Sequence, residues 1–232
     1  KSIVNLSKTK NGKYYEKFNY AVAESQEPGS TFKLMSVIAT LENDDQVSKK
    51  LIDTKNGEII FYDKYKVRDS KKGGYGKLTP AKAFEVSSNT GIVKMVYENY
   101  KSNPKKFVDR LYNMGLSNQL GLSIKGEGMP MIPYPGDKNW SGISLPWMAF
   151  GYGVKLTPLQ ILSFYNGIAN GGEIVKPRFI YKIKNSGSSF IKKYEKEILN
   201  PSVCSYPTLV KVQKMMFNVV DKTWGTANKI KS

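Results

Sequence analysis

Apolar and polar positions divide the chain into a few helices and several short alternating segments. Between residues 32 and 41 apolar side chains occupy most positions, which is typical of a helix buried on all sides. Helical periodicity predicts further helices, and alternation predicts strand pairs. The predicted helices span about 79–86, 90–100, 107–115, 157–170 and 206–220. Strands are predicted within 1–23, 51–68 and 178–199, with turns at 10–12, 56–57 and 185–189, and residues 121–146 read as a long Gly- and Pro-rich loop.

Several helix starts carry specific signals. Thr79-Pro80 and Thr157-Pro158 each place a capping hydroxyl before a proline at the first helical position. Pro28 and Gly29 precede the buried helix, and the Ser and Thr hydroxyls that follow them could cap its free N–H groups. These signals fix the helix starts better than apolar periodicity alone.

The buried helix begins with two residues that carry chemistry. Ser30 and Lys33 are three positions apart, which places both side chains on one face of its first turn. Free N–H groups at a helix N-terminus favour a serine alkoxide and a neighbouring oxyanion. Burial lowers the pKa of a lysine, and a neutral amine can accept the serine proton. We predict a nucleophile, Ser30, with its base, Lys33. An N-capping serine beside a lysine that reaches for solvent is the alternative.

A second polar group follows 57 residues after Ser30, at Ser87-Ser88-Asn89, where a helix breaks. On an extended loop, side chains two positions apart point the same way. The Ser87 hydroxyl and the Asn89 amide could therefore relay a proton and hold a substrate amide. A simple polar helix cap is the alternative for this tripeptide.

Composition narrows the chemistry. The 232 residues, 40% hydrophobic, are enough for one large domain or two small ones. The absence of histidine excludes Ser-His and Cys-His pairs and His-ligated metals, and the single Cys204 excludes an internal disulfide. The net charge of +17 indicates an anionic partner or surface. Because the lysines are dispersed and no nucleic-acid-binding motif is present, we expect no nucleic-acid partner. We also expect no metal, since the sequence has no histidine and one cysteine, and no cofactor.

Together these strings resemble the transpeptidase domain of penicillin-binding proteins, in which S-x-x-K, S-x-N and K-T-G mark one active site. STFK supplies Ser30 and Lys33, and SSN supplies Ser87 and Asn89. The strings EPGSTFK, LTPAKAFEVSSNTG and SLPWMAFGYGVKLTPLQILSFYNGIANGGEIVKPRF resemble the high-molecular-weight class B enzymes. The division-specific septal D,D-transpeptidase, in a Bacteroidetes-like version, is the most similar.

The resemblance implies an α+β fold. We expect an α/β sandwich of the β-lactamase/transpeptidase type, with an antiparallel sheet flanked by helices and a mainly helical subdomain.

The third motif departs from the family pattern. In DKTWGTANK, Trp224 separates Lys222-Thr223 from Gly225, and one inserted residue reverses the alternation of a strand. The string better resembles the G-T-A turn that precedes the K-T-G strand. We therefore expect residues 1–232 to be part of a penicillin-binding transpeptidase domain, without its K-T-G strand, membrane anchor and pedestal. We also expect such a chain to be acylated weakly or not at all.

The resemblance also implies roles and partners. Ser30 would attack the D-Ala-D-Ala amide of a peptidoglycan stem peptide, with Lys33 as base. Ser87 would help to protonate the leaving D-alanine, and Asn89 would bind the peptide. β-Lactams would acylate Ser30. The implied location is the periplasmic face of the bacterial inner membrane, among membrane proteins of the divisome.

Two other functions stay open. One is a serine β-lactamase or D,D-carboxypeptidase on the same fold. Lys196 stands where the E-x-x-L-N string of a class A lactamase has its glutamate, which argues against the lactamase. The other is a non-enzymatic module that binds an anionic polymer.

Overall fold

The computed structural model describes residues 5–184 and 190–230, which form an α+β fold. The strands are β1 (Asn5–Lys8), β2 (Tyr14–Phe18), β3 (Ile52–Asp53), β4 (Glu58–Phe61), β5 (Tyr65–Arg68), β6 (Lys77–Leu78), β7 (Ile174–Val175), β8 (Lys182–Lys184), β9 (Phe190–Lys193) and β10 (Ile198–Asn200). The α-helices are α1 (Tyr20–Ala23), α2 (Lys33–Asn43), α3 (Pro80–Glu85), α4 (Asn89–Tyr100), α5 (Pro104–Asn113), α6 (Ser144–Met148), α7 (Pro158–Ala169) and α8 (Tyr206–Asp221). Short 3-10 helices cover Gly29–Phe32, Asp45–Lys49 and Asn228–Ile230.

All strand pairing in the described residues is antiparallel, as expected, but it forms five two-stranded ladders rather than one flanked sheet. The pairs are β1–β2, β3–β6, β4–β5, β7–β10 and β8–β9. Two of these ladders are nested, because β4–β5 lies within the β3–β6 connection and β8–β9 within the β7–β10 connection. The strands are two to five residues long, so each pair is a local ladder that packs beside the helices.

Most predicted helix boundaries are confirmed. The Thr79 hydroxyl accepts a hydrogen bond from the Lys82 N–H at 3.2 Å, and Thr157 forms a complete capping box with Gln160. The first hairpin also turns where predicted, between β1 and β2. Threonine caps and prolines thus fix helix starts that apolar periodicity places only approximately.

The predicted turn at residues 56–57 is present, because the Gly57 N–H donates to the Thr54 carbonyl at 2.9 Å, but the strands on its two sides do not pair, so the predicted hairpin is wrong. Strand β4 pairs with β5, and the chain turns at Tyr62 and Asp63, whose φ angles are 52° and 53°. Two successive left-handed residues give the twist that a tight hairpin needs. Gly57 instead meets Gly74, since a Cβ added to Gly57 would lie 2.7 Å from the Gly74 Cα. The Asn-Gly signal therefore marks a turn at which two backbone segments approach closely, and not a hairpin.

Two further expectations need adjustment. The long loop is shorter than predicted, because α6 begins at Ser144. The late hairpin is present as β8–β9, while its predicted turn at 185–189 lies outside the described residues. No helix among the described residues is both long and apolar enough to cross a membrane.

Helix α2 is buried on all sides, as its sequence predicts. Residues 33–41 are all buried, and α2 packs against α3, α4, α5 and α8. Its polar groups also have partners: Ser36 Oγ donates to the Ala149 carbonyl at 2.8 Å, and the Tyr100 hydroxyl donates to the Ala39 carbonyl at 2.5 Å. The helix is thus a rigid support for the residues at its N-terminus.

Candidate active site

Ser30 lies in the 3-10 helix Gly29–Phe32, which leads directly into α2. The expected α-helical first turn is therefore wrong in helix type, since 3-10 turns are common at helix N-termini. Side chains three positions apart eclipse each other in a 3-10 helix. The Lys33 N–H donates to the Ser30 carbonyl. Ser30 and Lys33 consequently stack along one face, with Ser30 exposed and Lys33 only 1% exposed.

The hydroxyls at this helix start do not cap it. Neither the 3-10 turn nor α2 has a side-chain hydrogen bond at its N-terminus, and Thr31 Oγ1 donates to the Pro28 carbonyl at 2.8 Å. In the part of the chain that the structure describes, the Ser30 hydroxyl has no hydrogen-bond partner. The N-cap alternative for Ser30 is therefore wrong, and its hydroxyl is free to meet a substrate.

The Lys33 amine is held by the loop that carries Ser87 and Asn89. Nζ lies 2.9 Å from Ser87 Oγ, 2.7 Å from the Ser87 carbonyl oxygen and 2.6 Å from Asn89 Oδ1. These three acceptors match the three donors of an ammonium group. The structure thus brings Lys33, Ser87 and Asn89 together one turn from Ser30. Within the described residues no hydrogen bond joins the Ser30 hydroxyl to the Lys33 amine, and catalytic hydrogen bonds are often long or absent before substrate binds.

Burial lowers the pKa of Lys33 from 10.5 to about 8. Desolvation is the larger cause, because it disfavours the charged amine, and the negative charge of Asp69 acts in the opposite direction. Lys33 therefore has the lowered pKa that the sequence analysis predicted for the base of Ser30.

Ser87 and Ser88 occupy the break between α3 and α4, and Asn89 is the first residue of α4, so the extended loop expected for these three residues is wrong. Ser87 has a φ of 54°, a left-handed conformation that costs a non-glycine residue about 1–2 kcal/mol. Ser88 Oγ caps α4 by accepting a hydrogen bond from the Gly91 N–H at 2.9 Å. The helix-cap alternative thus applies to Ser88 alone, while the side chains on either side of it face Lys33.

The Asn89 amide has a fixed orientation. Its Nδ2 donates to the Arg68 carbonyl at 2.7 Å, which leaves Oδ1 directed at Lys33. Both Arg68 and the adjacent Asp69 come from the end of β5. Sequence reasoning missed this part of the site, because only the β4–β5 hairpin brings these residues to the loop.

Gly151 is a second residue that sequence reasoning did not single out. Its carbonyl accepts from the Gly29 N–H at 3.0 Å, and a Cβ added to Gly151 would lie 2.0 Å from the Gly29 carbonyl oxygen. The φ of 88° at Gly151 is also one that L side chains rarely adopt. The first glycine of GYG, Gly151, thus lets the 149–153 segment pack directly against the turn that holds Ser30.

Residues 222–227 form turns after α8, which agrees with the prediction that Lys222 does not begin a K-T-G strand. The Trp224 indole N–H donates to Glu85 Oε2 at 2.8 Å, and Asn218 Nδ2 donates to Glu85 Oε1 at 2.6 Å. Glu85 is 4% exposed. A buried carboxylate at the end of α3 therefore anchors this turn close to the Ser87 loop.

The comparison with protein families agrees with this geometry. A family model described as the penicillin binding protein transpeptidase domain matches residues 2–232. The chain belongs to this family. The penicillin-binding, class B relationship expected from the sequence is confirmed by the relatives described next, and the Bacteroidetes-like detail stays a prediction.

Two curated relatives of the transpeptidase domain illustrate the likeness. Peptidoglycan D,D-transpeptidase FtsI of Escherichia coli K12 is 30% identical over 165 residues, which cover 71% of this chain and 26% of FtsI. Penicillin-binding protein PbpB of Mycolicibacterium smegmatis is 30% identical over 162 residues, which cover 70% of this chain and 24% of PbpB. The chain spans about a quarter of the length of these relatives.

Solved structures show the same fold. The transpeptidase domain of Burkholderia pseudomallei penicillin-binding protein 3, in its apo form, has a TM-score of 0.73 and 25% identity, covering 90% of this chain and 58% of that one. Penicillin-binding protein 3 of Mycobacterium tuberculosis in complex with ampicillin has a TM-score of 0.69 and 26% identity, covering 86% of this chain and 42% of that one. The expected β-lactamase/transpeptidase fold class is thereby confirmed.

Proposed function

We propose that this domain cross-links peptidoglycan stem peptides as a septal D,D-transpeptidase, through an acyl-serine intermediate. The observation that carries the proposal is the arrangement at Lys33. Its buried amine lies one helical turn from the exposed Ser30 and contacts both Ser87 and Asn89. The identity to relatives named D,D-transpeptidase supports the choice of reaction.

In the acylation step, Ser30 Oγ attacks the carbonyl carbon of the D-Ala-D-Ala amide while neutral Lys33 takes the hydroxyl proton. The Ser30 N–H lies at the start of a helix, where it can stabilise the oxyanion of the tetrahedral intermediate. The amide C–N bond then breaks, and its nitrogen must receive a proton. Ser87 Oγ, 2.9 Å from Lys33 Nζ, can pass that proton on, since a hydroxyl both accepts and donates.

In the second step, the amine of a neighbouring stem peptide attacks the ester carbonyl of acylated Ser30. Lys33 accepts the proton of this amine and returns one to Ser30 Oγ as the ester bond breaks. The products are a new amide cross-link and the free serine. Asn89 would bind the peptide, and its fixed amide beside the Lys33 amine supports this role.

The same chemistry makes β-lactams covalent ligands of Ser30, because opening their strained amide acylates the serine. The complex of the M. tuberculosis relative with ampicillin supports this part of the proposal. We further propose a location on the periplasmic face of the bacterial inner membrane, with divisome membrane proteins as partners. The likeness to FtsI supports that placement.

The test is the intact mass of the full-length protein before and after incubation with benzylpenicillin. We expect one penicilloyl group per chain, lost in Ser30→Ala and retained in Ser123→Ala, an exposed serine that serves as the matched control. A folded parent that gains no adduct, or an adduct that persists in Ser30→Ala, would contradict the proposal.

A chromogenic cephalosporin separates the alternatives. A transpeptidase should consume about one equivalent and stall, whereas sustained Ser30-dependent turnover would indicate a β-lactamase. Release of D-alanine from a stem-peptide donor without cross-linking would indicate a carboxypeptidase. Lys196, at the position of the lactamase glutamate, forms an ion pair with Glu173.

A further inference from the structure

Asp69 follows β5 and binds the residues on both sides of Asn89. Its two carboxylate oxygens each lie 3.1 Å from Ser88 Oγ. They also accept hydrogen bonds from the Thr90 N–H at 3.0 Å and from Thr90 Oγ1 at 2.7 Å. Ser88 and Thr90 are both completely buried. Hydrogen bonds to an ionised acceptor are shorter and stronger than neutral ones, so this carboxylate is a firm anchor for the loop.

The loop needs such an anchor. Ser87 has the left-handed φ of 54°, and a strained conformation persists only where its surroundings hold it in place. Asp69 fixes the backbone and side chains next to Ser87 and Asn89, and the Arg68 carbonyl fixes the Asn89 amide. Two successive residues at the end of β5 thus orient both groups that contact the Lys33 amine.

Asp69 also acts on Lys33 through its charge. Among the described residues it is the charged group whose interaction changes the protonation of Lys33. The other polar groups facing Nζ are Ser87 and Asn89, both neutral, from the loop and start of α4. The first two turns of α2 carry no charge besides Lys33 itself.

We propose that Asp69 is a positioning residue of this site: its hydrogen bonds to Ser88 and Thr90 hold the flanking Ser87 and Asn89 against the Lys33 amine. The same carboxylate favours the ammonium form of Lys33 through its charge. The catalytic consequence rests on the proposed transpeptidase function. The placement of the loop and the protonation of Lys33 do not, so they can be measured separately.

Two variants separate the charge of Asp69 from its hydrogen bonds. Asp69→Asn removes the charge and keeps one acceptor oxygen and the side-chain shape, while Asp69→Ala removes both. Asp63→Asn is the matched control, because Asp63 is exposed at the tip of the β4–β5 hairpin and asparagine tolerates its left-handed backbone. All variants are made in the full-length protein, and urea unfolding confirms that each is folded.

The first measurement is the NMR titration of lysine labelled with 13C at Cε. The Lys33 signal is identified by its loss in Lys33→Ala. We expect the midpoint to move down by about half a pH unit or more in Asp69→Asn, since removing a nearby negative charge disfavours the ammonium. It should stay unchanged in Asp63→Asn.

The second measurement is the rate of acylation by benzylpenicillin as a function of pH. In Asp69→Asn the pH range over which the acylation rate rises should move to lower pH, by the same amount as the NMR midpoint of Lys33. In Asp69→Ala the plateau rate should also fall about 100-fold, the cost of a misplacement near 1 Å at a reacting group. Asp63→Asn should match the parent.

The outcomes are distinguishable. An unmoved Lys33 midpoint in Asp69→Asn overturns the proposal, even if the rate falls, because Asp69 would then be only a structural support. A plateau rate that is unchanged in a folded Asp69→Ala overturns it as well. If the parent is not acylated but the midpoint moves as expected, the transpeptidase proposal fails and the inference about the Asp69 charge stands.

Discussion

The pH dependence of Ser30 acylation follows from the burial of Lys33. Only a neutral amine can take the serine proton, and a pKa of about 8 leaves about 1% neutral at pH 6, about 10% at pH 7 and about 50% at pH 8. An exposed lysine with the ordinary pKa would be only about 0.03% neutral at pH 7. Burial therefore raises the fraction of Lys33 that is neutral, and so able to act as a base, about 300-fold at neutral pH.

We expect the second-order rate constant of acylation to rise about tenfold from pH 6 to pH 7 and to level off above pH 8. The assay follows the covalent attachment of a fluorescent penicillin to the full-length protein at constant ionic strength. Urea unfolding at each pH is the control for loss of folded protein. A flat profile between pH 6 and pH 9, or a limb that still rises tenfold per unit at pH 9, would refute the assignment of Lys33 as a base with a lowered pKa.

Three further predictions concern stability. Because folded Lys33 has the lower pKa, the unfolded chain binds more protons between pH 8 and pH 10.5. The free energy of unfolding of the parent should therefore rise relative to Lys33→Met by about 1 kcal/mol from pH 7 to pH 9 in urea titrations, and an unchanged difference would contradict this. Gly151→Ala should cost more than about 2 kcal/mol by the same method, because the new Cβ meets the backbone of the Ser30 turn. The control Gly153→Ala, also left-handed but facing open space, should cost about 1–2 kcal/mol, and equal losses would refute the steric argument. Glu85→Ala should lower the free energy of unfolding by about 2–3 kcal/mol, since it leaves the Trp224 and Asn218 donors without their acceptor, and a loss below about 0.5 kcal/mol would show that the turn is held otherwise.

Local patterns predicted the parts of the site that depend on neighbouring residues. The apolar run after Pro28 identified a fully buried helix, and the spacing of Ser30 and Lys33 placed one residue above the other. The Thr-Pro pairs located two helix starts to the residue. In each case the residues that determine the local conformation lie within a few positions of one another in the sequence.

The remaining parts depend on contacts between distant segments. Asp69 reaches the Ser87 loop only because the β4–β5 hairpin turns at Tyr62 and Asp63, which lack the glycine or asparagine typical of such turns. The role of Gly151 likewise appears only where its segment meets Gly29. No pattern within a single helix or strand shows that Asp69 contacts the Ser87 loop or that Gly151 contacts Gly29. These features could therefore not be predicted from periodicity or motif spacing.

The 3-10 turn at Ser30 has a consequence for how S-x-x-K strings are interpreted. Residues three apart are rotated by about 360° in a 3-10 helix but by about 300° in an α-helix. Conversion of this one turn to α-helix would swing Ser30 about 60° around the axis, away from Lys33, while the core of α2 stayed as it is. The 3-10 pitch therefore sets how closely the two side chains align, because in a regular α-helix Ser30 and Lys33 would share a face but stand about 60° apart.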